Sequence, residues 1–449
     1  MSVYKAGLWL YLANITAQLG GYVFWFIAAA SVRATVLGEV AYTVTIATIL
    51  TTLATLGVPT AMMRLLPASS NQRYAQGAMA HALVAATATA AIALWKPAIA
   101  ILTVTGVIAN YYTAYFQAKL DTKPIFNATL AGQAARIALA PILAPYGPDA
   151  LATTYAIPGL LIALYGIVRS RVSPKPFGLR ELIKAGISVW LPNAIAMLGT
   201  NLGVVTAYNL AQPEEAGYVY IAQVLANAAT APTIIITGVL LPYLSSLAER
   251  ESVAKRANKL ALAMSTPLAA VLILGGRHIL ALLGPQYTEA ADALAVYATA
   301  NTLSLTVTVL SSLVYSQGKY RHVLIERLAS NAARVLLYAL LGTSDIGVAA
   351  SFLIGTVIAL AYYSAIAKNV AKSAAILTPR LVAIAMPAAA TSAIGILLAI
   401  PGIAISYALA VKMKIVTRRE IGEIAQQVLP NPLYTKIAPL GAKILDILD

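Results

Sequence analysis

A chain of 449 residues that is 60% hydrophobic and only 10% charged, with a mean hydropathy of +0.78, cannot use water as its main solvent, which excludes a soluble globular domain. The absence of cysteine removes disulfides, thiolate metal sites and cysteine nucleophiles. The net charge of +15 follows membrane topology, as its distribution shows below, and no nucleic-acid partner is needed to explain it.

The first apolar run begins just after Lys5 and has no small-residue cleavage site, so it reads as an uncleaved membrane helix. From there, apolar stretches recur at near-regular intervals and predict fourteen spans: 7–32, 36–64, 76–95, 97–117, 124–146, 149–169, 183–209, 215–246, 258–281, 288–316, 322–342, 346–367, 380–399 and 402–415. Lipid admits only helices or closed barrels, and the ten-residue alternation of a barrel strand is absent. The expected fold class is therefore an all-α polytopic membrane protein. With both termini in the cytoplasm, the outer segments carry only Arg33, Lys96 and Arg277, two arginines (Arg136 and Arg334) lie inside spans, and the rest of the 31 basic residues fall on inner segments. That asymmetry obeys the positive-inside rule and predicts a multi-pass protein of the cytoplasmic membrane. A chain without cysteine and with 24 Tyr against 6 Phe suits a thermophilic prokaryote. The apolar run 381–411 is short for two crossings, yet basic residues flank it on both sides, which predicts a hairpin turning at Pro401 and Gly402. Beyond it, 419–429 reads as an amphipathic helix on the inner surface, followed by a cytoplasmic tail.

The sequence is internally duplicated. Lys5, Ala6 and Gly7 open the first span as Lys184, Ala185 and Gly186 open the seventh. At the same offset of 179, Leu12, Asn14, Leu19 and Gly20 match Leu191, Asn193, Leu198 and Gly199. Glu39-Val-Ala-Tyr42 answers Glu215-Ala-Gly-Tyr218, and Leu130-Ala-Gly-Gln-Ala-Ala-Arg136 answers Leu328-Ala-Ser-Asn-Ala-Ala-Arg334. Six spans is an even number, so two parallel six-helix repeats related by a pseudo-twofold along the membrane normal are expected. The domain boundaries follow: an N-lobe over 1–172, a cytoplasmic linker over 173–182, a C-lobe over 183–372, a hydrophobic hairpin over 373–416 and a tail over 417–449.

The run Arg33-Ala-Thr-Val-Leu-Gly-Glu-Val-Ala-Tyr42, followed by Leu56-Gly-Val-Pro59 and Arg64, resembles the N-terminal signature of the polysaccharide (O-antigen type) flippases of the multidrug/oligosaccharidyl-lipid/polysaccharide exporter superfamily. Leu241-Pro-Tyr-Leu-Ser245 and Leu283-Gly-Pro-Gln-Tyr287 resemble its second-half motifs, and the likeness covers the first twelve spans. The resemblance implies a two-lobed bundle around a central cationic cavity. It also implies a flippase that moves a polyprenyl-diphosphate-linked sugar across the membrane by alternating access, as a monomer beside glycosyltransferases.

Arg136 and Arg334 are expected near the bilayer middle, where insertion costs roughly 2.5–3.5 kcal/mol each, with no Asp or Glu at similar depth. Two such cations suit a diphosphate, because guanidinium binds phosphate oxygens bidentately. Bonding to carbonyls or to neighbouring amides such as Gln133 and Asn331 is the structural alternative. Arg33 and Arg64 sit at the two ends of the second span, as gates for the diphosphate or as headgroup anchors. Asn14 and Gln18, Asn193 and Asn201, and Gln223 and Asn227 form polar faces that lipid rejects, suited to sugar hydroxyls or to interhelical bonds. The three histidines are dispersed, no nucleotide fingerprint appears and all outer loops are short. No metal, cofactor or enzymatic activity is therefore expected. The rival function is a cation-coupled multidrug or metabolite antiporter of the same superfamily, which calls for a membrane carboxylate that the first span lacks.

Overall fold

The computed structural model describes residues 3–67 and 72–417. The expected amphipathic segment 419–429 and the rest of the tail, with Arg418, Arg419, Lys436 and Lys443, lie outside the described residues. In chain order the α-helices are α1 (Val3–Ser31), α2 (Ala34–Thr55), α3 (Val58–Leu65), α4 (Arg73–Ile92), α5 (Pro97–Ala118), α6 (Lys123–Leu143), α7 (Pro148–Thr153), α8 (Ile157–Ser170) and α9 (Leu179–Leu210). They continue with α10 (Pro213–Thr230), α11 (Ile234–Ser245), α12 (Arg250–Ala281), α13 (Ala291–Ser316), α14 (Tyr320–Leu341), α15 (Asp345–Ile366), α16 (Lys368–Ile394) and α17 (Ile396–Lys412). No strand occurs among the described residues. Ten helical segments there are long and apolar enough to cross a membrane. The protein is an all-α, multi-pass membrane protein.

Local chemistry sets the helix boundaries. Proline stands in the first turn of α3, α5, α6, α7 and α8, where its missing N–H is not needed. The second expected span, read as continuous over 36–64, is broken. Leu56 and Gly57 both take left-handed backbone angles (φ 46° and 71°), ending α2 and restarting the chain as α3 at Val58 and Pro59. The C-terminal hairpin corrects the sequence reading more sharply. Pro401 and Gly402 lie inside α17, and the turn is at Gly395. Helix α16 starts at Lys368, so it is about 40 Å long at 1.5 Å per residue. Gly402 is a packing position: a Cβ there would overlap the Thr391 hydroxyl and meet the Pro387 carbonyl at 2.8 Å.

Two compact units emerge from the packing. The first comprises residues 1–220 and 338–345, the second 221–337 and 346–449, so α9 is grouped with the first six expected spans. In the first unit a core of Val58, Met62, Met79, Val107, Tyr111 and Leu182 knits α3, α4, α5 and α9 together. Glycines bring backbones into contact there. A Cβ on Gly217 would meet the Ala34 carbonyl at 2.6 Å, and one on Gly186 the Leu56 carbonyl at 2.7 Å. Small residues permit such approach where dispersion, not water exclusion, drives helix association. Along α2, Trp190 Nε1 donates to the Thr52 carbonyl at 2.8 Å, and Tyr42 stacks on Tyr208 at 4.1 Å between ring centres. The second unit has its own core of Leu240, Leu244, Val309, Leu310 and Tyr363, and a further cluster of Ala261, Leu262, Leu381, Ile384 and Ala410 ties the hairpin to α12.

Candidate anion-binding site

Arg136 lies on α6, about 20 Å along the axis from Lys123. Its side chain is 3% exposed. The guanidinium lies against a T-shaped pair of rings, 4.5 Å from the Phe24 centroid and 4.3 Å from that of Tyr155, whose own centroids are 5.6 Å apart. Trp25 completes the aromatic wall, with its ring 4.3 Å from Tyr220 and its Nε1 donating to the Tyr155 hydroxyl at 3.4 Å. Glycines on α1 make room for this arrangement: a Cβ on Gly20 would meet Gln133 Oε1 at 2.7 Å, and one on Gly21 would lie 3.8 Å from Arg136 Nη2. Each ring attracts the cation by cation–π interaction, up to about 2 kcal/mol per contact when desolvated. Its edge is not satisfied. Arg136 Nε and Nη2 are buried without a hydrogen-bond partner, as is the Gln133 Oε1 one turn away. Each orphaned buried donor costs about 1–3 kcal/mol, more for a charged group, unless a ligand or water takes it.

Arg334, its counterpart in the duplicated sequence, is half-buried and differently held. Nη1 donates to Asn331 Oδ1 and Nη2 to Thr356 Oγ1, both at 3.0 Å, while the Phe352 ring stacks at 4.2 Å. The Thr356 hydroxyl in turn donates to the Phe352 carbonyl at 2.9 Å, and Asn331 Nδ2 to the Arg327 carbonyl at 2.7 Å. These bonds join α14 to α15 within the second unit.

Tyr155 has a second role. Its other surroundings include a cavity of about 240 Å³ lined by Thr48, Thr51 and Thr52 of α2 and by Thr105 and Asn110 of α5. This is below the roughly 300–1,000 Å³ of pockets that take drug-sized ligands, and suits one small polar group. None of these residues was singled out from the sequence, although Thr45, Thr48, Thr52 and Thr55 recur at helical spacing along α2.

Residues 32–292, more than half of the chain, match the family described as polysaccharide biosynthesis protein. The chain belongs to that family. No curated protein matches the sequence. Among solved structures, the polysaccharide biosynthesis family chain is similar to a lipid II flippase MurJ in an inward closed conformation, at a TM-score of 0.72 and 14% identity, over 91% of this chain and 100% of that one. It is also similar to an inward-facing multidrug resistance MATE family transporter (TM-score 0.55, 14% identity, 80% and 95% of the chains). A MOP superfamily transporter from Pyrococcus furiosus is a third likeness (0.56, 15%, 83% and 96%). At these identities the likenesses establish the fold alone, one shared with these flippase and transporter structures.

The other expected site residues are dispersed. Arg33 precedes α2 and Arg64 stands in the last turn of α3, both exposed. Asn14 and Asn193 are exposed, Gln18 and Gln223 half-buried. Asn201 Nδ2 donates to the Met197 carbonyl of its own helix at 2.9 Å. Asn227 Oδ1 accepts from Asn301 Nδ2 at 3.0 Å, an interhelical bond between α10 and α13. His322 meets the Tyr362 hydroxyl at 3.0 Å, and Glu326, 3% exposed, accepts from Ser330 at 2.9 Å and lies 3.9 Å from Arg327 Nε. No group of three or more metal-ligating side chains occurs among the described residues.

Proposed function

We propose that this protein is a flippase that translocates a polyprenyl-(di)phosphate-linked oligosaccharide across the cytoplasmic membrane by alternating access, with both termini in the cytoplasm. The observation that carries the reading is the buried edge of Arg136, whose Nε and Nη2 have no hydrogen-bond partner. Those two N–H groups share one edge of a planar guanidinium, the geometry that grips two oxygens of one phosphate. Burial and the contacts with Phe24 and Tyr155 already restrict the side chain, so little side-chain entropy is lost on binding. The threonine-lined cavity behind Tyr155 offers hydroxyls to a sugar or to the water that accompanies one. Membership of the polysaccharide biosynthesis family and a MOP-type fold support a lipid-linked sugar as cargo, made by glycosyltransferases working beside the carrier. In this reading Arg334, Arg33, Arg64 and the asparagine and glutamine faces contribute less to capture than Arg136 does. The test is transport of a fluorescent polyprenyl diphosphate sugar by the reconstituted protein. Arg136→Gln should abolish it at normal protein yield, and full activity in that variant would end the proposal.

A cation-coupled antiporter is favoured by one feature, the buried carboxylate of Glu326. If that group carries a coupling proton or sodium ion, Glu326→Gln should uncouple transport of an organic cation from the ion gradient. Unchanged coupling would remove this second reading.

A further inference from the structure

Helices α6 and α8 of the first unit run antiparallel. At one level glycine brings them into contact, since a Cβ on Gly132 would overlap Pro158 Cα and meet its Cβ at 2.9 Å. Toward the start of α6 and the end of α8 they leave a groove with a cavity of about 710 Å³. Its lining falls into tiers. Lys123, Asn127 and Ala131 follow one another at four-residue steps on α6, as Arg169, Tyr165 and Leu161 do in reverse on α8. Each step is about 6 Å along a helix axis. Charges therefore stand at the mouth, an amide and a phenol one turn deeper, and apolar side chains next to the closed end. Tyr165 rests on α5, with its ring 5.6 Å from that of Phe116.

The mouth carries both signs, because Asp121 lines it beside the exposed Lys123 and Arg169. Lys123 Nζ lies 5.7 Å from the Trp9 ring centroid. Among the described residues none of the three has an ion-pair partner. Asn127 is exposed in the middle tier, and on the facing wall Leu164 is 51% and Val168 76% exposed, an apolar surface that suits a hydrocarbon chain.

We propose that this groove holds a phospholipid with a primary-ammonium headgroup, such as phosphatidylethanolamine, drawn from the leaflet at its mouth. Lys123 and Arg169 take the phosphate, Asp121 the ammonium and Asn127 an ester carbonyl, while an acyl chain lies over Leu164 toward Leu161 and Ala131. The charge pattern selects the headgroup: a phosphate without an ammonium would set like charge against Asp121. The order of side chains selects a lipid over a free ion, because polarity falls with depth as it does from phosphate through ester to hydrocarbon. Arg136 is on the buried part of α6, and the inference is independent of what it binds.

Native mass spectrometry of the full-length protein, exchanged into micelles holding equal phosphatidylethanolamine and phosphatidylcholine with the same chains, tests it. The wild type should retain the ethanolamine lipid about tenfold over the choline lipid, because only a primary ammonium donates hydrogen bonds to Asp121 and one charge-assisted bond is worth about that factor. Asp121→Asn should bring the two lipids to parity. Glu181→Gln, which removes the same charge from an exposed site of the same unit, should keep the preference. Parity in both variants would mean bulk electrostatics and would overturn the site. Stronger retention of phosphatidylglycerol than of phosphatidylethanolamine by the wild type would mean a plain anion site and would overturn it too. K123Q/R169Q should lose both lipids several-fold, and unchanged retention there would remove the phosphate contacts. Displacement by millimolar phosphoethanolamine, the headgroup without its chains, would refute a lipid. If Asp121→Asn fails to fold, Leu164→Asp decides: it keeps all three charges at the mouth and sets a carboxylate where the chain would lie, so unchanged retention in it would refute the lipid as well.

Discussion

The two arginines that the duplication makes equivalent are used differently. Arg334 is tied through Asn331 and Thr356 to its own helix and the next, a cation whose hydrogen bonds fasten α14 to α15. Arg136 lies against the rings of Phe24 and Tyr155, and its Nε and Nη2 have no hydrogen-bond partner. Both sites keep an aromatic ring against the guanidinium, so the ring contact is what they have in common. The edge contacts are where they diverge. A duplicated charge is expensive twice, and here one copy spends two of its donors on bonds to Asn331 and Thr356 while the other has two buried donors without a partner.

The largest effect that can break this contrast is on transport. Arg136→Ala should reduce movement of a polyprenyl diphosphate sugar by about a hundredfold, the loss of one bidentate charged contact, and Arg136→Lys should not restore it because an ammonium lacks the planar edge. Arg334→Ala should do the reverse, leaving transport per folded molecule within a few-fold of wild type while destabilising the protein by about 1–3 kcal/mol in thermal melts in detergent. Identical phenotypes in the two variants would dissolve the distinction. Next in size is the coupling within the clasp. Because Thr356 and Asn331 both act through Arg334, Thr356→Val combined with Arg334→Ala should destabilise no more than Arg334→Ala alone. Additive losses would show that Thr356 stabilises by other means. Smaller again is the ring: Tyr155→Leu should cost about 1–2 kcal/mol through the lost cation–π contact, and Tyr155→Phe should retain most of it.

Much of the fold was legible because hydropathy is a local signal, and the all-α, multi-pass class it predicts is the one observed, with ten helical segments among the described residues long and apolar enough to cross a membrane. The failures have physical reasons. Leu56-Gly57 was hidden inside an unbroken apolar run, since hydropathy is blind to left-handed backbone. Pro401 was read as a turn, but it lies inside α17, where it forfeits one backbone hydrogen bond without ending the helix, and the turn fell at Gly395 instead. For the candidate site, charge alone singled out both arginines, because a cation inside an apolar run is rare. Their surroundings were not readable. Phe24, Trp25 and Tyr220 come from α1 and α10, and as isolated aromatics they look like ordinary core. One signal was available: an aromatic residue, Tyr155 or Phe352, follows each arginine at nearly the same spacing.

The finest distinction between the sites lies in the glycines that accommodate them, and it predicts opposite signs for one chemical change. Gly355 sits under the Arg334 side chain, where a Cβ would overlap Cγ and lie 2.5 Å from Nε and 2.9 Å from Cδ. Those atoms are held at the far end by Asn331 and Thr356, so they cannot swing aside without giving up a hydrogen bond. Gly355→Ala should therefore destabilise by about 1–3 kcal/mol, the usual range for overpacking. At the Arg136 site the matching change is Gly21→Ala, whose Cβ would find Nη2 at 3.8 Å, an ordinary contact. Helical alanine is favoured over glycine by about 0.5–1 kcal/mol, so this substitution should leave stability unchanged or raise it slightly. Melting curves of the two single variants in the same detergent measure the pair directly. A loss at Gly21 as large as that at Gly355 would mean that Arg136 is as tightly enclosed as Arg334, with no slack left for a ligand at its edge.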